Sequence, residues 1–415
     1  LLEIFDLLQT ANTIRDQYSL HYQEIIRNYE SLVSLIHEDH INAAEREVND
    51  AEIRASLITG ITSECKEIID YRIAAKRWHL EVNERTKDRL VSFGEKLSCR
   101  FVVAILKDRG VDAEFVDLAD IVHFKATKPL DQDFYQNLAA AIRERILACE
   151  NRVPVVTGYF GPVPGSLLDG DIGRGYTDLC ASLVAVGMKA DELQIWKEVD
   201  GIFTADPSKV PTARLLSTIT PSEAAELTFY GSEVIHHLTI DLVVNASPPI
   251  PIQIKNVKNP ESNGTTVLPD KRLYKKPLSH SRSSSTYSLR SIPRRPTAVT
   301  IKDKISVINV YSNKRSISHG YFAKIFCILD KLHISVDLIS TSEVHVSMAI
   351  HSASISGEVM RRVRLELEEL GEVSILNHMA ILSLVGAEMR NMTGIAGKMF
   401  TTLGENNINI EMISQ

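Results

Sequence analysis

The sequence has few cysteines, and none of them lies close to another. Its 415 residues include five cysteines, and there is no CxxC motif or cluster of His and Cys. Such spacing does not favour a structural zinc site, and we expect no metal held by protein side chains alone. Thiols that stay reduced are typical of the cytoplasm, which is the expected location. The cysteines are Cys65, Cys99, Cys149, Cys180 and Cys327.

The sequence also lacks a long apolar run and an excess of positive charge. No run approaches the roughly 18 residues of a membrane-spanning helix. The first residues, Leu1 to Asp6, contain acids rather than the basic start of a secretory signal. The formal net charge is −7, whereas a dedicated nucleic-acid-binding protein normally presents a basic face. We therefore expect a soluble protein whose partners are neither nucleic acids nor membranes.

What the sequence does contain is a regular alternation of apolar patterns. Apolar residues three and four positions apart predict long helices over residues 1 to about 90. Further helices are predicted at 88–108, 133–150 and 221–236, and short apolar strands at 113–118, 152–159 and 250–255. This alternation predicts an α/β fold, with a mainly parallel sheet sandwiched by helices.

The composition changes at residues 271–297, where prolines, serines and basic residues predict a linker. Beyond the linker, the predicted elements follow the ferredoxin-like order βαββαβ and end in a strand at 373–376. A similar order begins again with a strand at 380–385, a helix near 394–404 and a strand at 408–414. We interpret this as an internal repeat whose second copy stops half-way.

Two segments carry polar residues typical of a binding site. The segment GRGYTD, residues 173–178, places two glycines, an arginine, a hydroxyl and an aspartate at a predicted helix start. A helix N-terminus favours bound anions. The segment WKEVDGIFTADP, residues 196–207, is an apolar strand that leads into a charged loop, where open α/β sheets bind ligands. Together they indicate a site for an anionic substrate and a nucleotide.

With the helix EAAELTFYGSEVIH and the loop IKNVKNPESNGT, these segments resemble the aspartate kinases, in the monofunctional form found in fungi. The tail resembles the paired ACT domains with which these enzymes sense end-product amino acids. The resemblance covers nearly all of the chain from about Asp88 onward. It implies an amino-acid-kinase domain at 1–270, the linker at 271–297, a first ACT domain at 298–379 and a truncated second one at 380–415. Residues 298–302 are an alternative strand of the second ACT domain.

The resemblance implies transfer of the γ-phosphoryl group of ATP, with Mg²⁺, to the side-chain carboxylate of L-aspartate. The product, 4-phospho-L-aspartate, leads toward threonine and methionine. An aspartate carboxylate has a pKa near ~3.9, so it is already an anion at neutral pH and needs no general base. Cations and positioning then carry the catalysis. Resemblance also implies a homodimer or larger assembly joined through ACT domains, with threonine as the allosteric inhibitor.

Four residues match the substrate and catalytic positions of the family. Arg174 is implied to bind the α-carboxylate of the substrate and to act in catalysis, since a guanidinium suits bidentate pairing with a carboxylate. Asp178 is implied as the catalytic aspartate, Thr177 as a hydroxyl contact, and Glu95 as the acceptor of the substrate α-ammonium. The alternatives are a helix N-cap for Thr177 and a first-turn acid that complements the helix dipole for Asp178.

The resemblance also assigns residues to the nucleotide. Ser208 stands where bacterial relatives often carry a phosphate-binding arginine, so the neighbouring Lys209 is expected to substitute for it. The pair His236-His237 replaces a usual His-Pro, which we interpret as a structural change. The implied nucleotide residues are Lys197, Glu198, Phe203, Asp206, Lys209 and Lys258.

An effector pocket is implied in the tail. A helix start that follows a glycine offers backbone amides to a carboxylate, and Asp337 can bind an ammonium group. Packing between ACT domains is the alternative role for these residues. The implied effector residues are Ser318, His319, Gly320, Phe322, Asp337, Thr341, Ser342, Glu343, Asn407 and Asn409.

Two parts of the family pattern are missing from the sequence. Aspartate kinases begin with a strand and a lysine-bearing loop that precede anything seen here, and the second ACT repeat lacks its final strands. We therefore expect the chain to be the retained part of a longer enzyme, with little or no kinase activity as written. A catalytically silent amino-acid sensor and a kinase for another small acid, such as glutamate, are the alternative functions.

Overall fold

The computed structural model describes residues 1–124, 130–163, 167–168, 172–173, 175–229, 235–268, 296–312, 320–342, 344–386, 389 and 392–414. The chain divides into two compact units. Unit 1 comprises Leu1–Trp196 and Ile235–Gln253, and unit 2 comprises Lys197–Val234 and Ile254–Gln415. Among the described helices, none combines the length and apolarity that a membrane crossing requires.

The described residues form helices and strands that we number in chain order. They are α1 (Leu2–Thr13), α2 (Leu20–Glu47), α3 (Ala51–Arg77), α4 (Glu84–Asp108), β1 (Ala113–Val116), α5 (Gln132–Leu147), β2 (Val153–Val156), α6 (Tyr176–Met188), β3 (Leu193–Lys197), β4 (Thr218–Ile219), α7 (Pro221–Phe229), α8 (His237–Val244), β5 (Ile252–Asn256), β6 (Thr265–Val267), β7 (Ala298–Ser312), α9 (Tyr321–Lys331), β8 (Leu338–Thr341), β9 (His345–His351), α10 (Gly357–Glu368), β10 (Gly371–Val385) and α11 (Ile395–Glu405).

The long helices α1 to α4 confirm the helical prediction for the first 90 residues. Polar caps fix where the last two start: Asp50 accepts hydrogen bonds from two backbone N–H groups of α3, and Asn83 forms a capping box with Thr86 at the start of α4. The Asp108 carboxylate accepts hydrogen bonds from the backbone N–H groups of Asn49 and Asp50, which ties the end of α4 to the start of α3. Their apolar faces form one buried cluster.

The α/β part of unit 1 is built around the parallel pair β1–β2. Phe115 pairs with Val155 in the register of this pair. Helices α5 and α6 cover a core that includes Leu138, Ile142 and Leu179, all fully buried. The predicted parallel pairing is therefore confirmed here, and the β1–β2 ends lead directly into the loops that carry the candidate site.

A second sheet has the strand order β3-β5-β6-β4, and its β4–β6 pair is parallel. Helix α7 begins at Pro221, as predicted, and ends at Phe229. In the rest of the predicted helix, residues 230–234 lie outside the described residues and 235–236 are not helical, and α8 beyond them was not predicted. The division between the two units falls within β3 and within β5.

The tail forms a four-stranded antiparallel sheet with the order β10-β7-β9-β8. With α9 and α10 it reproduces the predicted βαββαβ order of the first repeat. Buried residues of both helices and three strands form its core. The linker predicted at 271–297 lies almost wholly outside the described residues.

The boundary between the two repeats differs from the prediction. The strands predicted at 373–376 and 380–385 are one strand, β10, and β7 likewise joins 298–302 to 305–310. Register shifts interrupt the β7–β10 pairing between Leu376 and Ile381. The sequence there has the polar character of a turn, yet the strands continue. The strand predicted at 408–414 is wrong: the described residues of that segment form no strand, and Ile408 and Ile413 are exposed.

Candidate active site and effector pocket

The Glu95 carboxylate lies where α4 meets the loop after β2. Its Oε2 accepts a hydrogen bond from the Gly158 backbone N–H at 3.2 Å, and its Oε1 accepts one from the Tyr176 hydroxyl at 3.1 Å. The side chain is half-buried. Both donors are neutral, so they orient the carboxylate without adding positive charge. A carboxylate held in this way can bind a substrate ammonium group.

Gly158 brings two of the predicted substrate residues together. A methyl group at its Cα would lie 2.5 Å from Cγ2 of Thr177 and 3.0 Å from Oε2 of Glu95. Both side chains therefore border the space that the missing side chain of Gly158 leaves open. Sequence reasoning missed Gly158 and Tyr176, although Tyr176 lies inside the GRGYTD motif.

Helix α6 starts at the glycine motif. Its N-cap is Gly175, with φ +91° and no side-chain cap, so the N-cap role considered for Thr177 is wrong. A side chain at Gly175 would lie 3.0 Å from the His236 ring, which in turn hydrogen-bonds the Ile172 carbonyl oxygen through Nε2 at 2.9 Å. His236, the N-cap of α8, thus packs against the motif.

Asp178 occupies the first turn of α6 and is half-buried. At this position a carboxylate complements the positive end of the helix dipole, and it also adjoins Thr177 in the site. Arg174, predicted to bind the substrate α-carboxylate, lies outside the described residues. The paired action of Glu95 and Arg174 therefore stays a prediction.

A second carboxylate on α4 holds the loop that precedes the glycine motif. Asp88 is buried and accepts hydrogen bonds from the backbone N–H groups of Leu167 at 2.6 Å and Leu168 at 3.1 Å. Asp88 and Glu95 are separated by two helical turns, so both lie on the same face of α4. Sequence reasoning missed Asp88, whose only signal was this spacing of two acids along a helix.

The site keeps nearby thiols protonated. Burial, with the negative charges of Glu95 and Asp117 added, raises the pKa of Cys99 to about 11. Burial and the same Glu95 charge raise the pKa of Cys180 to about 12 and also raise the pKa of the Tyr176 hydroxyl. These groups therefore stay neutral near pH 7.

The predicted nucleotide residues lie in unit 2, on two neighbouring loops. Lys258 pairs with Glu198 at 3.5 Å, and both side chains are exposed. The Asn256 side chain orders these loops: its Oδ1 accepts from the Lys258 backbone N–H, and its Nδ2 donates to Asp200, each at 2.9 Å. Lys197 ends β3 next to Glu198.

Asp206 and Lys209 form part of one tight turn. The Asp206 carboxylate accepts hydrogen bonds from the Ser208 N–H at 2.9 Å and from its hydroxyl at 2.6 Å, which lower the pKa of Asp206. Ser208 therefore stabilises the turn. Lys209, predicted to replace a phosphate-binding arginine, pairs with Asp303 of β7 at 2.7 Å. Phe203 forms an isolated β-bridge with Leu215 at the base of the loop.

Part of the predicted effector pocket is described. Gly320, with φ +81°, is the N-cap of α9, and Phe322 in its first turn is half-buried. The Asp337 side chain is 10% exposed, and its Oδ1 pairs with Lys302 Nζ at 2.8 Å. Within the described part of the chain, its buried Oδ2 has no hydrogen-bond partner, and the same holds for the Tyr321 hydroxyl, which the prediction omitted. Such an oxygen can accept a ligand ammonium group.

The other predicted effector residues are exposed or undescribed. Thr341 and Ser342 are exposed at the end of β8. Asn407, with φ +56°, donates its N–H to the Gly404 carbonyl oxygen just after α11, and Asn409 is exposed. Ser318, His319 and Glu343 lie outside the described residues.

Comparison with known families agrees with this architecture. Residues 15–256 match the amino acid kinase family, and residues 382–415 match an ACT domain. The first match spans more than half of the chain and includes Glu95, Thr177 and Asp178. These matches therefore define an amino-acid kinase that carries an ACT domain.

Individual relatives narrow this class. The chain is 52% identical to an aspartate kinase of Gibberella fujikuroi over 418 residues, which cover 99% of this chain and 82% of that protein. It is 50% identical to the aspartokinase of Saccharomyces cerevisiae over 400 residues, covering 93% of this chain and 74% of that one. The chain therefore belongs to the aspartate kinases of the amino acid kinase family.

A solved structure has a similar fold. Aspartokinase III of E. coli, in complex with aspartate and ADP, aligns with a TM-score of 0.67 and 25% identity, covering 99% of this chain and 84% of that one. A second structure of the same enzyme, in complex with lysine and aspartate, aligns with a TM-score of 0.70 at 24% identity. The predicted α/β fold class is thereby confirmed.

Proposed function

We propose that the protein transfers the γ-phosphoryl group of ATP to the side-chain carboxylate of L-aspartate and releases ADP and 4-phospho-L-aspartate. The observation that carries the proposal is that Glu95 and Thr177 both lie beside Gly158. Thr177 is next to Asp178 in the first turn of α6. Complexes of the E. coli relative with aspartate and ADP support the same pair of ligands.

The proposed chemistry follows from the charges. A side-chain oxygen of aspartate attacks the γ-phosphorus, the bond from phosphorus to the β–γ bridging oxygen breaks, and ADP leaves with that electron pair. No proton is transferred, because the attacking carboxylate is already ionised. The protein must therefore orient two anions toward each other, with Glu95 on the substrate ammonium and Arg174 on its α-carboxylate.

Mg²⁺ is proposed to enter with ATP. Among the described residues, no group of three His, Cys, Asp or Glu side chains is arranged to hold a metal. Mg²⁺ typically binds through substrate phosphates and only one or two carboxylates, and the half-buried carboxylate of Asp178 suits that role. The metal would neutralise charge on the transferring phosphate, while Lys197, Glu198, Phe203, Asp206, Lys209 and Lys258 would bind the nucleotide.

The ACT module is proposed to bind threonine as an allosteric inhibitor and to join subunits into a homodimer or larger assembly. The buried Oδ2 of Asp337 supports binding of an amino-acid ammonium group, and the start of α9 supports binding of a carboxylate. This pocket would use Gly320, Phe322 and Asp337, together with the exposed residues that follow β8 and α11.

An ADP-release assay on the full-length protein tests the proposal. We expect turnover that requires ATP, Mg²⁺ and L-aspartate, and that threonine inhibits. Turnover with L-glutamate in place of L-aspartate would establish a kinase for another acid. Threonine binding without turnover on either acid would establish the amino-acid sensor instead.

A further inference from the structure

Strand β7 is shared between the nucleotide loop and the regulatory sheet. Its first part begins beside the loop, where the Val299 backbone N–H donates to the Thr204 carbonyl oxygen at 2.8 Å. Its second part, from Ile305 to Tyr311, pairs with β10 on one side and β9 on the other. One continuous strand therefore connects the loop that carries Asp206 and Lys209 to the sheet that carries the effector pocket.

An irregularity separates these two parts of β7. Lys304 has φ +58° and His378 of β10 has φ +61°, in the left-handed region that non-glycine residues seldom adopt. The β7–β10 register shifts at the same level, between Leu376 and Ile381. Such bulges bend a strand and redirect its side chains. We call residues 302–304 the β7 joint.

Two adjacent side chains of the β7 joint reach different functional regions. Lys302 Nζ pairs with Oδ1 of Asp337 at 2.8 Å and lies 5.5 Å from the centre of the Phe229 ring. Asp303 Oδ2 pairs with Lys209 Nζ at 2.7 Å. Neighbouring residues of a strand point to opposite faces, which accounts for this division. The joint thus contacts one predicted effector residue and one predicted nucleotide residue.

The two ion pairs differ in how firmly they are held. The side chains of Lys302 and Asp337 are 19% and 10% exposed, so removing Lys302 alone would leave a buried carboxylate uncompensated. The ammonium group of a free amino acid could replace Lys302 without that cost. The side chains of Lys209 and Asp303 are about half exposed, and such pairs exchange partners readily. A phosphate can therefore compete with Asp303 for Lys209.

We propose that Lys302 and Asp303 are positioning residues that couple amino-acid binding at Asp337 to nucleotide binding at Lys209. An ammonium group that binds the buried Oδ2 of Asp337 competes with Lys302, which pairs with Oδ1 of the same carboxylate, and displaces it. The strand then changes at the β7 joint, and Asp303 alters the position of Lys209 and of the loop after Thr204. This proposal rests on the proposed function, because it takes Asp337 as an effector residue and Lys209 as a nucleotide residue.

The test measures the dissociation constant of Mg-ADP in the full-length protein by calorimetry. Asp303→Asn removes the competitor of phosphate for Lys209, so we expect 2–5-fold tighter binding (on the order expected for an exposed pair). Lys302→Met should weaken Mg-ADP binding by a similar factor, and this effect should disappear when Asp303→Asn is also present. Glu366→Gln, which breaks the Lys331–Glu366 ion pair elsewhere in the ACT module, should change nothing and serves as the control.

Two further readouts keep the test decisive. The variant Lys302→Met/Asp337→Asn removes both charges of the buried pair and should fold even if Lys302→Met does not. Hydrogen exchange at the Lys209 and Val210 amides, both bonded to the Asp206 carbonyl oxygen, reports on the loop without nucleotide. We expect faster exchange of these amides in Lys302→Met/Asp337→Asn than in the wild type. We also expect L-threonine to change the exchange rate less in Asp303→Asn than in the wild type.

Independent, multiplicative effects of Lys302→Met and Asp303→Asn on Mg-ADP binding would overturn the coupling. Unchanged hydrogen exchange in Lys302→Met/Asp337→Asn would overturn the coupling as well, whether or not nucleotide binds. Failure of the proposed function would look different, as loss of turnover or of Mg-ADP binding by the wild-type protein while the exchange response persists.

Discussion

At the residue scale, the candidate site depends on a carboxylate that two neutral donors orient. Gly158 N–H and the Tyr176 hydroxyl fix the two oxygens of Glu95 without contributing positive charge. Hydrogen bonds to charged groups contribute more than neutral ones, about 1.5–3 kcal/mol each. An incoming ammonium group therefore finds an acceptor that is already in place, and this preorganisation lowers the cost of binding a free amino acid.

Gly158 should be intolerant of any side chain. Gly158→Ala would place a methyl group 2.5 Å from Thr177 Cγ2 and 3.0 Å from Glu95 Oε2, so one of these side chains must move. We expect KM for aspartate to rise at least about tenfold, the effect of losing roughly one good hydrogen bond to a charged group. Steady-state kinetics with aspartate and ATP varied separately measures this.

Gly357→Ala is the matched control, because the space around Gly357 in α10 is open. An unchanged KM for aspartate in Gly158→Ala, with Gly357→Ala also unchanged, would show that the space beside Gly158 is not part of the substrate site.

The cysteines should differ sharply in reactivity. Cys327 is exposed, whereas the other four thiols are buried. Burial raises the pKa of Cys65 and of Cys99 to about 11, so near pH 8 these groups hold almost no reactive thiolate. We expect one rapidly reacting thiol per folded chain in a titration with a disulfide reagent at pH 8, and none in Cys327→Ser.

The same pKa values predict a loss of stability in alkali. A raised pKa in the folded state stabilises the fold fully below the ordinary thiol pKa of about 8.5. That contribution is lost as the pH rises through about 11, where Cys65 and Cys99 would ionise inside the protein.

Rapid labelling of more than one thiol at pH 8 in the native protein would contradict the predicted difference in reactivity among the cysteines.

At the element scale, α4 organises the part of the site that we propose binds the substrate. It presents Glu95 to the loop after β2 and, two turns earlier, Asp88 to the loop before the glycine motif. The helix has a capping box at its start, and Asp108 at its end is bonded to the start of α3. It is therefore a stiff support for both carboxylates. The geometry of the site therefore follows from the placement of this one helix.

Asp88→Asn tests that support. The amide has a single acceptor oxygen for two backbone N–H groups, so we expect a loss of about 1–3 kcal/mol in the free energy of unfolding. KM for aspartate should rise as well, because the glycine motif follows the loop that Asp88 holds. Urea unfolding and steady-state kinetics measure the two effects. Asp191→Asn, at an exposed position, is the control. Equal stability of both variants would contradict the role given to Asp88.

The sequence predicted most of the elements but not how some of them join. Helical periodicity located α4, α5 and α9, because each has a long apolar face that local residues define. It split β7 and β10, because the bulge at Lys304 and His378 places polar residues inside long strands. It also predicted a strand at 408–414 from alternation alone, although a strand requires a partner as well as a pattern.

At the scale of the whole molecule, the loop proposed to bind the nucleotide and the sheet proposed to bind the effector belong to one compact unit. The ion pair between Lys209 and Asp303 joins residues 94 positions apart, and no local pattern could have revealed it. The same holds for Asp88 and Gly158, whose roles depend on contacts between distant segments. The predicted roles of Glu95 and Thr177 came from motif resemblance, and the structure places both side chains beside Gly158.

The central claim is that Glu95 recognises the ammonium group of L-aspartate, and one substrate comparison tests it directly. Succinate has both carboxylates of aspartate but lacks the ammonium group, so the full-length enzyme should use it at least about 100-fold less efficiently in kcat/KM (a loss of ~3 kcal/mol). Glu95→Gln should lower kcat/KM for L-aspartate by about 10–100-fold and leave succinate almost unaffected, so that the preference nearly disappears. KM for ATP should stay the same. An equal loss on both acids, or a preference for aspartate that survives in Glu95→Gln, would contradict the account.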